Sequence, residues 1–268
     1  MTLREYKTLR GISRSYSPYE SHKVIMSSKT PQPAALLWSG GKDSALALHH
    51  ARQAHPDIHI ARLVTCISQA YDRVSMHGVR RQLIEDQARA IDLPVEFIVI
   101  PRHDDPTCPM AHTVPGTDFP PNDVYSRTML AALERLKESG VRVIVFGDIF
   151  LEDLRAYREK LLAHVGLEGR YPLWARHTGA LFDEFVELGF KAVTVCVDTK
   201  RLSEEQCGRL LDPAFRNDLP ADCDPCGERG EYHSFAFGGP LFQTPLKLHD
   251  ESQLEIENHL ILDFAVSV

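Results

Sequence analysis

Short apolar runs alternate along the chain with longer stretches of mixed polarity, which is the pattern of strands separated by helices. Within 79–91, for example, Val79, Leu83 and Ile91 recur at helical spacing among polar residues. Strands that alternate with helices pair in parallel through right-handed crossovers, so the pattern indicates an α/β protein with a doubly wound parallel sheet. It predicts strands at 34–38, 58–67, 94–100, 141–146 and 192–197, and helices after residue 44 and at 79–91, 123–139, 152–164, 181–188 and 203–211.

Composition changes divide the chain into three predicted parts. The first 30 residues carry six Lys and Arg against two acids and have no apolar periodicity. They predict a disordered N-terminal extension over 1–33 or leader sequence ahead of Met26, and a targeting segment or basic arm is the alternative. The α/β domain is predicted at 34–198 and a smaller C-terminal lobe at 199–268. A polar, proline-rich loop at 101–121 is long enough to suggest a functional role.

Overall composition is that of a soluble globular protein. Of 268 residues, 43% are hydrophobic and 25% are charged, and no apolar run is long enough to cross a bilayer. The net charge of −7 argues against a broad nucleic-acid-binding surface but leaves room for a local basic groove. A homodimer is a further expectation. Six cysteines without a signal-peptide pattern predict free thiols and a cytoplasmic location.

The sequence Ser-Gly-Gly-Lys-Asp-Ser at 39–44 carries the strongest chemical signal. It follows a predicted buried strand and opens a predicted helix. Gly40 and Gly41 allow the backbone to approach a phosphate closely, and the free amide groups of the first helical turn point towards it. Lys42 adds a positive charge, and Ser39 and Ser44 add hydroxyl donors. The segment therefore predicts an anion site.

This loop differs from a Walker A motif, because Leu36 occupies the position of that motif's first glycine. Asp43 beside the phosphates is understandable if it holds Mg²⁺, whose charge offsets the repulsion. The run resembles the PP-loop of the ATP pyrophosphatases. That resemblance implies binding of ATP through its β- and γ-phosphates, release of pyrophosphate and transfer of AMP to a substrate oxygen.

A second segment with several side chains capable of catalysis or ligand binding spans 223–235. Glu228 and Glu231 lie between glycines and could bind a substrate amine, a metal or ammonia. Cys223, Cys226 and His233 could alternatively bind zinc, although a closed site needs four ligands. The long loop could supply the fourth ligand from His103, Cys108 or His112.

Residues 34–243 resemble the ATP-binding family that includes diphthine–ammonia ligase. The matching elements are 39–44, His77-Gly78-Val79, Gly147-Asp148-Ile149, Pro172-Leu173-Trp174, 227–235 and Gly239-Pro240. The resemblance implies an adenine nucleotide alpha hydrolase-like, Rossmann-like fold and an ATP-dependent, AMP-forming carbon–nitrogen ligase. Such an enzyme adenylates a carboxylate, either of a small molecule or of a protein, and amidates it with ammonia. Arg229 and His233 depart from the ligase version of the motif and resemble a bacterial-type branch.

These inferences assign provisional roles to individual residues. Lys42, Asp43 and Glu231 are predicted to be catalytic. Asp43 and Asp148 are predicted to hold Mg²⁺. The predicted nucleotide-binding residues are Ser39, Gly40, Gly41, Lys42, Asp43, Ser44, Gly147 and Asp148, and the predicted substrate residues are His77, Glu228, Glu231 and His233.

Two alternative functions remain open at the level of sequence. A PP-loop enzyme that modifies tRNA would need a basic RNA-binding extension and catalytic cysteines, for which Cys108 is the available candidate. A non-catalytic module that binds an adenine nucleotide would need no turnover, whereas the intact Lys42-Asp43 pair favours an enzyme.

Overall fold

Five parallel strands and one short antiparallel strand form the first sheet of the computed structural model, which describes residues 30–69, 71–75, 77–101, 123–256 and 258–267. The strands are β1 Gln32–Leu37, β2 Ile58–Ser68, β3 Arg73–Val74, β4 Val95–Ile100, β5 Val143–Val145 and β6 Glu168–Arg170. Strand β2 pairs with β1 and β4, β1 also pairs with β5, and β5 pairs with β6, all in parallel. Strand β3 pairs antiparallel with the end of β2.

The order of these strands creates a switch point beside β1. From β1 the chain moves outwards to β2 and β4, and it then returns to the other side of β1 with β5. In such sheets ligands bind beyond the carboxyl ends of the strands where the direction reverses. The segments that follow β1 and β5 are 39–44 and 147–148, so the fold brings together the two segments that the sequence singled out. The predicted doubly wound α/β architecture is confirmed by this topology.

Helices cover both faces of the first sheet. On one face, α3 and α4 bury Met129, Leu133 and Leu162 against the sheet residues Val64 and Ile144. On the other face, α1 and α2 lie between the first sheet and a second one. The helices are α1 Lys42–Ala54, α2 Arg81–Ile91, α3 Asp123–Glu138, α4 Glu152–Val165, α5 Thr178–Glu187 and α6 Pro213–Asp218.

The second sheet is antiparallel and has four strands in the order β8-β7-β10-β9. The predicted fifth strand does form, as β7, but it belongs to this sheet instead of the parallel one. Apolar periodicity identifies a strand without identifying its partner. The change between the sheets therefore precedes Lys191 and does not follow residue 198. The strands are β7 Lys191–Asp198, β8 Tyr232–Gly238, β9 Lys247–Ile256 and β10 His259–Ser267.

The predicted helix at 203–211 is wrong. Only a single 3₁₀ turn forms there, at Glu204–Gln206. Gly208 adopts φ 83°, in the left-handed region, and the chain then hydrogen bonds along β7. The amide of Gly208 donates to the Thr194 carbonyl at 2.9 Å, and the amide of Leu211 donates to the Ala192 carbonyl at 2.9 Å. Pairing with β7 thus replaces the helix.

Two regions that the sequence singles out lie outside the described residues. They are the predicted N-terminal extension, up to residue 29, and residues 102–121 of the proline-rich loop. In the described part of the chain, no helix has the length and apolar character that crossing a membrane requires.

An ion-pair cluster joins the second sheet to the first. Asp263 of β10 is buried, and its carboxylate accepts hydrogen bonds from Arg73 of β3 at 2.5 and 2.7 Å. Arg80 lies 3.2 Å from the same carboxylate. Burial alone would raise the pKa of Asp263, but the hydrogen bonds from these two guanidinium groups outweigh burial and lower its pKa from the usual 3.8.

We expect Asp263→Asn to lower the free energy of unfolding at pH 7 by about 2 kcal/mol, because two guanidinium groups lose their counter-charge. A lowered folded-state pKa contributes stability that is present above the unfolded-state pKa and is lost as pH falls through the folded-state pKa. The difference between wild type and variant should therefore disappear in strongly acidic solution. Urea denaturation at pH 7 and about pH 3 measures it. A difference that is equal at both pH values would contradict the role of the charge.

Candidate active site

The 39–44 loop connects β1 to α1 and presents the first turn of the helix to a cleft. Gly41 is the N-cap of α1 and has no side chain to cap the helix, so first-turn amides remain without intrahelical partners; the Lys42 amide donates instead to the hydroxyl of Ser234 in β8 at 3.1 Å. Gly40 has φ +84°, which favours glycine. Gly147 packs directly on this loop, because a Cβ atom there would lie 3.0 Å from the Asp43 carbonyl carbon. The local geometry is that of an anion-binding helix N-terminus.

The cleft has a volume of about 270 Å³ and lies between the carboxyl ends of β1 and β5 and the start of β8. Both sheets contribute to its wall, since residues 226–228 and 232–234 face the loop. Most of the predicted site residues line it, whereas Gly40, Cys223 and Glu231 do not. Those that line it are Ser39, Gly41, Lys42, Asp43, Ser44, His77, Gly147, Asp148, Cys226, Glu228 and His233.

Lys42 is buried at the base of the loop, with 3% of its surface exposed. Its ammonium donates to both carboxylate oxygens of Asp43, at 2.9 and 2.7 Å, and also to the carbonyl oxygen of Cys226. Burial disfavours the charge, but the interactions with Asp43, Cys226, Tyr232 and Glu228 together outweigh burial and raise the pKa of Lys42 well above 10.5. Lys42 thus remains charged and links the loop to the 223–235 segment.

Three carboxyl groups face the cleft. Asp43 pairs with Lys42, and Asp148 pairs with Arg158 of α4. Glu228 differs from them, because burial and then the negative charges of Asp43, Asp224 and Asp148 raise its pKa to about 8. The Lys42 charge opposes that rise without cancelling it. The cleft therefore concentrates negative charge that a bound cation would relieve.

Glu231 lies away from the cleft, which differs from its predicted contact with the acceptor. Its side chain is 1% exposed. One carboxylate oxygen accepts from the Asp224 amide at 3.0 Å, and the other accepts from the Arg229 amide at 3.0 Å. Arg201 lies 3.5 Å from the same group. Glu231 is thus a buried carboxylate that holds the 223–231 loop in shape, and Glu228 is the glutamate that reaches the cleft.

Two histidines pack against each other in the cleft wall with their rings tilted. The rings of His77 and His233 are 4.4 Å apart between centroids, at an angle of 41°. Burial lowers the pKa of His77 to about 4 and lowers that of His233 well below 6.5, so both rings are neutral at pH 7. Nδ1 of His77 lies 3.3 Å from the Ser75 carbonyl, which can only accept. Nε2 of the neutral His77 ring is therefore the nitrogen with a lone pair.

The predicted zinc site does not form from the described residues. No group of three His, Cys, Asp or Glu side chains is arranged to hold a metal ion in the part of the chain that the structure describes. The thiol of Cys226 instead donates to the Thr178 carbonyl at 3.2 Å. Burial raises the pKa of Cys223 to about 12, which disfavours the thiolate that zinc requires. His103, Cys108 and His112 lie outside the described residues.

Sequence analysis missed three residues that shape the site. Gln87 of α2 and Ser234 of β8 hydrogen bond to the loop backbone, and Arg158 holds Asp148. One signal was available for Gln87, since it lies on the apolar face of α2 together with Leu83 and Ile84. A polar residue within an apolar stripe usually has a buried partner.

Two family models match the chain, and together they cover more than half of it. The diphthamide synthase N-terminal domain matches residues 32–103, and the diphthamide synthase C-terminal domain matches residues 177–264. The second match includes β7, in agreement with its place in the second sheet.

Similar proteins carry related names. A diphthine–ammonia ligase of Schizosaccharomyces pombe is 24% identical over 234 residues, which is 82% of this chain and 36% of that protein. A diphthine–ammonia ligase of Danio rerio is 26% identical over 224 residues, 78% of this chain and 84% of that protein. The chain thus spans about a third of the yeast relative and most of the fish relative. Among solved structures, a predicted subunit of tRNA methyltransferase from Methanocaldococcus jannaschii is 18% identical, with a TM-score of 0.41 over 61% of this chain and 80% of that one.

The first family model covers the 39–44 loop, and the second covers the 226–234 wall of the cleft. The chain belongs to the diphthamide synthase family.

Proposed function

We propose that the protein is an ATP-dependent, AMP-forming ligase that activates a carboxylate and joins it to ammonia. The observation that carries this proposal is the glycine loop at the switch point of the parallel sheet, closed by the 226–234 segment of the second sheet. The loop offers amide donors to phosphates, and the second segment offers polar groups to an acceptor in the same cleft. The names of the relatives suggest diphthine as the acceptor.

The residues at the cleft fit a magnesium ion bound together with ATP. Magnesium takes one or two protein carboxylates in addition to phosphate oxygens. Asp43 and Asp148 follow β1 and β5 and face the same cleft. Each already has a cationic partner, so the charge that remains to be neutralised is that of the phosphates. Magnesium would supply that charge and polarise the phosphate oxygens.

Adenylation forms a bond between a carboxylate oxygen and the α-phosphorus while the bond to the pyrophosphate oxygen breaks. Ammonia then forms the carbon–nitrogen bond as AMP leaves, and nitrogen loses a proton. Glu228 and the Nε2 atom of His77 are the cleft groups that can accept hydrogen bonds from this nitrogen. The protein contributes positioning and charge neutralisation, with no covalent intermediate on a side chain.

A tRNA-modifying reaction through a thiol is less well supported by the described residues. Cys66 lines the cleft, but burial raises its pKa to about 11, so it is a poor nucleophile at pH 7. A cytoplasmic location and a homodimer stay predictions.

The protein should convert ATP into equal amounts of AMP and pyrophosphate when it is incubated with MgCl₂, ammonium chloride and a diphthine-containing protein. We expect this because the 39–44 loop resembles the PP-loop of the ATP pyrophosphatases, which release pyrophosphate. Phosphorus-31 NMR identifies the products. ADP and phosphate as products would contradict the proposed reaction, whereas AMP formation only with other carboxylates would overturn diphthine as the acceptor.

Substitutions at the two glutamates of the 223–235 segment should affect different properties, namely turnover for Glu228 and folding stability for Glu231. Glu228→Gln should reduce turnover at least tenfold while the dissociation constant for ATP stays within about threefold, as expected for a group that acts after ATP binds. Its melting temperature at pH 8 should equal or exceed that of wild type. The raised folded-state pKa of about 8 means that ionisation costs folding stability as pH rises from 4.5 towards 8, and glutamine avoids that cost.

Glu231→Gln should instead destabilise the protein by about 1–3 kcal/mol, because an amide nitrogen replaces an acceptor of a backbone N–H group. Thermal unfolding and steady-state kinetics on both variants test the distinction. Asp222→Asn, at an exposed acid directly before this segment, is the matched control and should change neither property. Wild-type turnover in Glu228→Gln would remove Glu228 from the mechanism.

A further inference from the structure

The peptide group between Gly40 and Gly41 is held from outside the loop. The Gly40 carbonyl oxygen accepts from the Ala236 amide of β8 at 2.8 Å and from Nε2 of Gln87 at 2.9 Å. A carbonyl oxygen has two lone pairs, so both are used. Neither donor belongs to the loop itself.

Planarity of the peptide turns this contact into an orientation of the next amide. In a trans peptide the carbonyl and the N–H group point in opposite directions, and no cis peptide occurs in the described chain. A carbonyl directed at α2 and β8 therefore directs the Gly41 N–H to the opposite side, where it donates at 3.3 Å to the hydroxyl of Ser39, a residue that lines the cleft. In agreement with this, Gly41 lines the cleft and Gly40 does not.

Glycine makes this orientation dependent on an external partner. Two adjacent glycines tolerate both orientations of the intervening peptide at small cost. In the reversed orientation the carbonyl oxygen would face the cleft and repel phosphate oxygens. The loop sequence thus permits an anion site without enforcing it.

The carboxamide of Gln87 is fixed in the one orientation that can donate to the loop. The side chain is fully buried, and its oxygen accepts from Nε1 of Trp38 at 2.8 Å. Its nitrogen then donates both hydrogens, to Gly40 and to the Ala236 carbonyl at 2.5 Å. Space is also restricted, since a Cβ atom on Gly40 would lie 2.8 Å from the Gln87 oxygen.

We infer that Gln87 is a positioning residue that locks the Gly40–Gly41 peptide with its N–H group towards the nucleotide phosphates, and that it does so jointly with β8 of the second sheet. The inference rests on the proposed ATP site for the identity of the anion. Gln87 itself does not line the cleft, so its effect on the ligand passes through the loop.

The test compares ligands with and without phosphates on Gln87→Met, which keeps the side-chain volume and removes all three hydrogen bonds. Calorimetric titration should show a loss of ATP affinity of at least tenfold, while adenosine affinity stays within about twofold. A purely structural defect would weaken both ligands together. Gln87→Glu, which keeps the acceptor for Trp38 and loses the donors, should lose ATP affinity at least as much, and it serves if the methionine variant does not fold.

The matched control is Gln206→Met, since Gln206 is also a largely buried glutamine but lies away from the cleft. It should lower the melting temperature without changing ATP affinity. Amide hydrogen exchange of residues 39–44 gives a readout that needs no ligand, and it should accelerate in Gln87→Met but not in Gln206→Met.

Each result decides one claim. Equal losses of ATP and adenosine affinity, or unchanged ATP affinity, would overturn the inference. Wild-type protein that binds no ATP would overturn the proposed function, and hydrogen exchange alone would then decide whether Gln87 holds the loop.

Discussion

The carbonyl oxygen of Gly40 is the atom on which the arrangement of the two sheets around the cleft depends. It receives one hydrogen bond from the second sheet and one from a buried side chain of α2. Leaving a buried polar group without a partner costs about 1–3 kcal/mol. Separating β8 from the loop would also break the hydrogen bond of the Lys42 amide to Ser234. The 39–44 loop and β8 are therefore parts of a single structure, although more than 190 positions separate Lys42 from Ser234 in the sequence.

Charge in the cleft follows from the same close approach of the two sheets. The Lys42 ammonium lies between Asp43 of the loop and the Cys226 carbonyl of the opposite wall, so one buried cation serves both sides. Asp148 is neutralised separately by Arg158. Glu228 is introduced into this environment by the second sheet, and burial with the neighbouring carboxylates raises its pKa. The proposed binding of a polyanion together with a cation would use this distribution of charge.

Local patterns predicted what depends on neighbouring residues in the sequence. The loop after β1 was recognisable because its glycines, lysine and helix start are contiguous, and the apolar runs located β1, β2, β4 and β7. What depends on pairing was missed. The sheet that β7 joins and the burial of Glu231 are both set by segments distant in the sequence. The sequence alone does not distinguish the roles of Glu228 and Glu231, because the turn between them determines which side chain faces the cleft.

The use of one strand for two purposes follows from the chemistry proposed for the cleft. Transfer between a nucleotide and an acceptor requires both to lie within bonding distance, and positioning is most of what the protein can contribute. In this protein β8 contacts the 39–44 loop through Ser234 and Ala236 and places His233 in the cleft wall. Ser234 accepts a hydrogen bond from the Lys42 amide, and the neighbouring His233 packs against His77 in the cleft wall, so adjacent residues of β8 serve the loop and the cleft. A rigid strand that carries both functions holds the two ligand sites at a fixed separation, which a flexible connection between independent domains would not do.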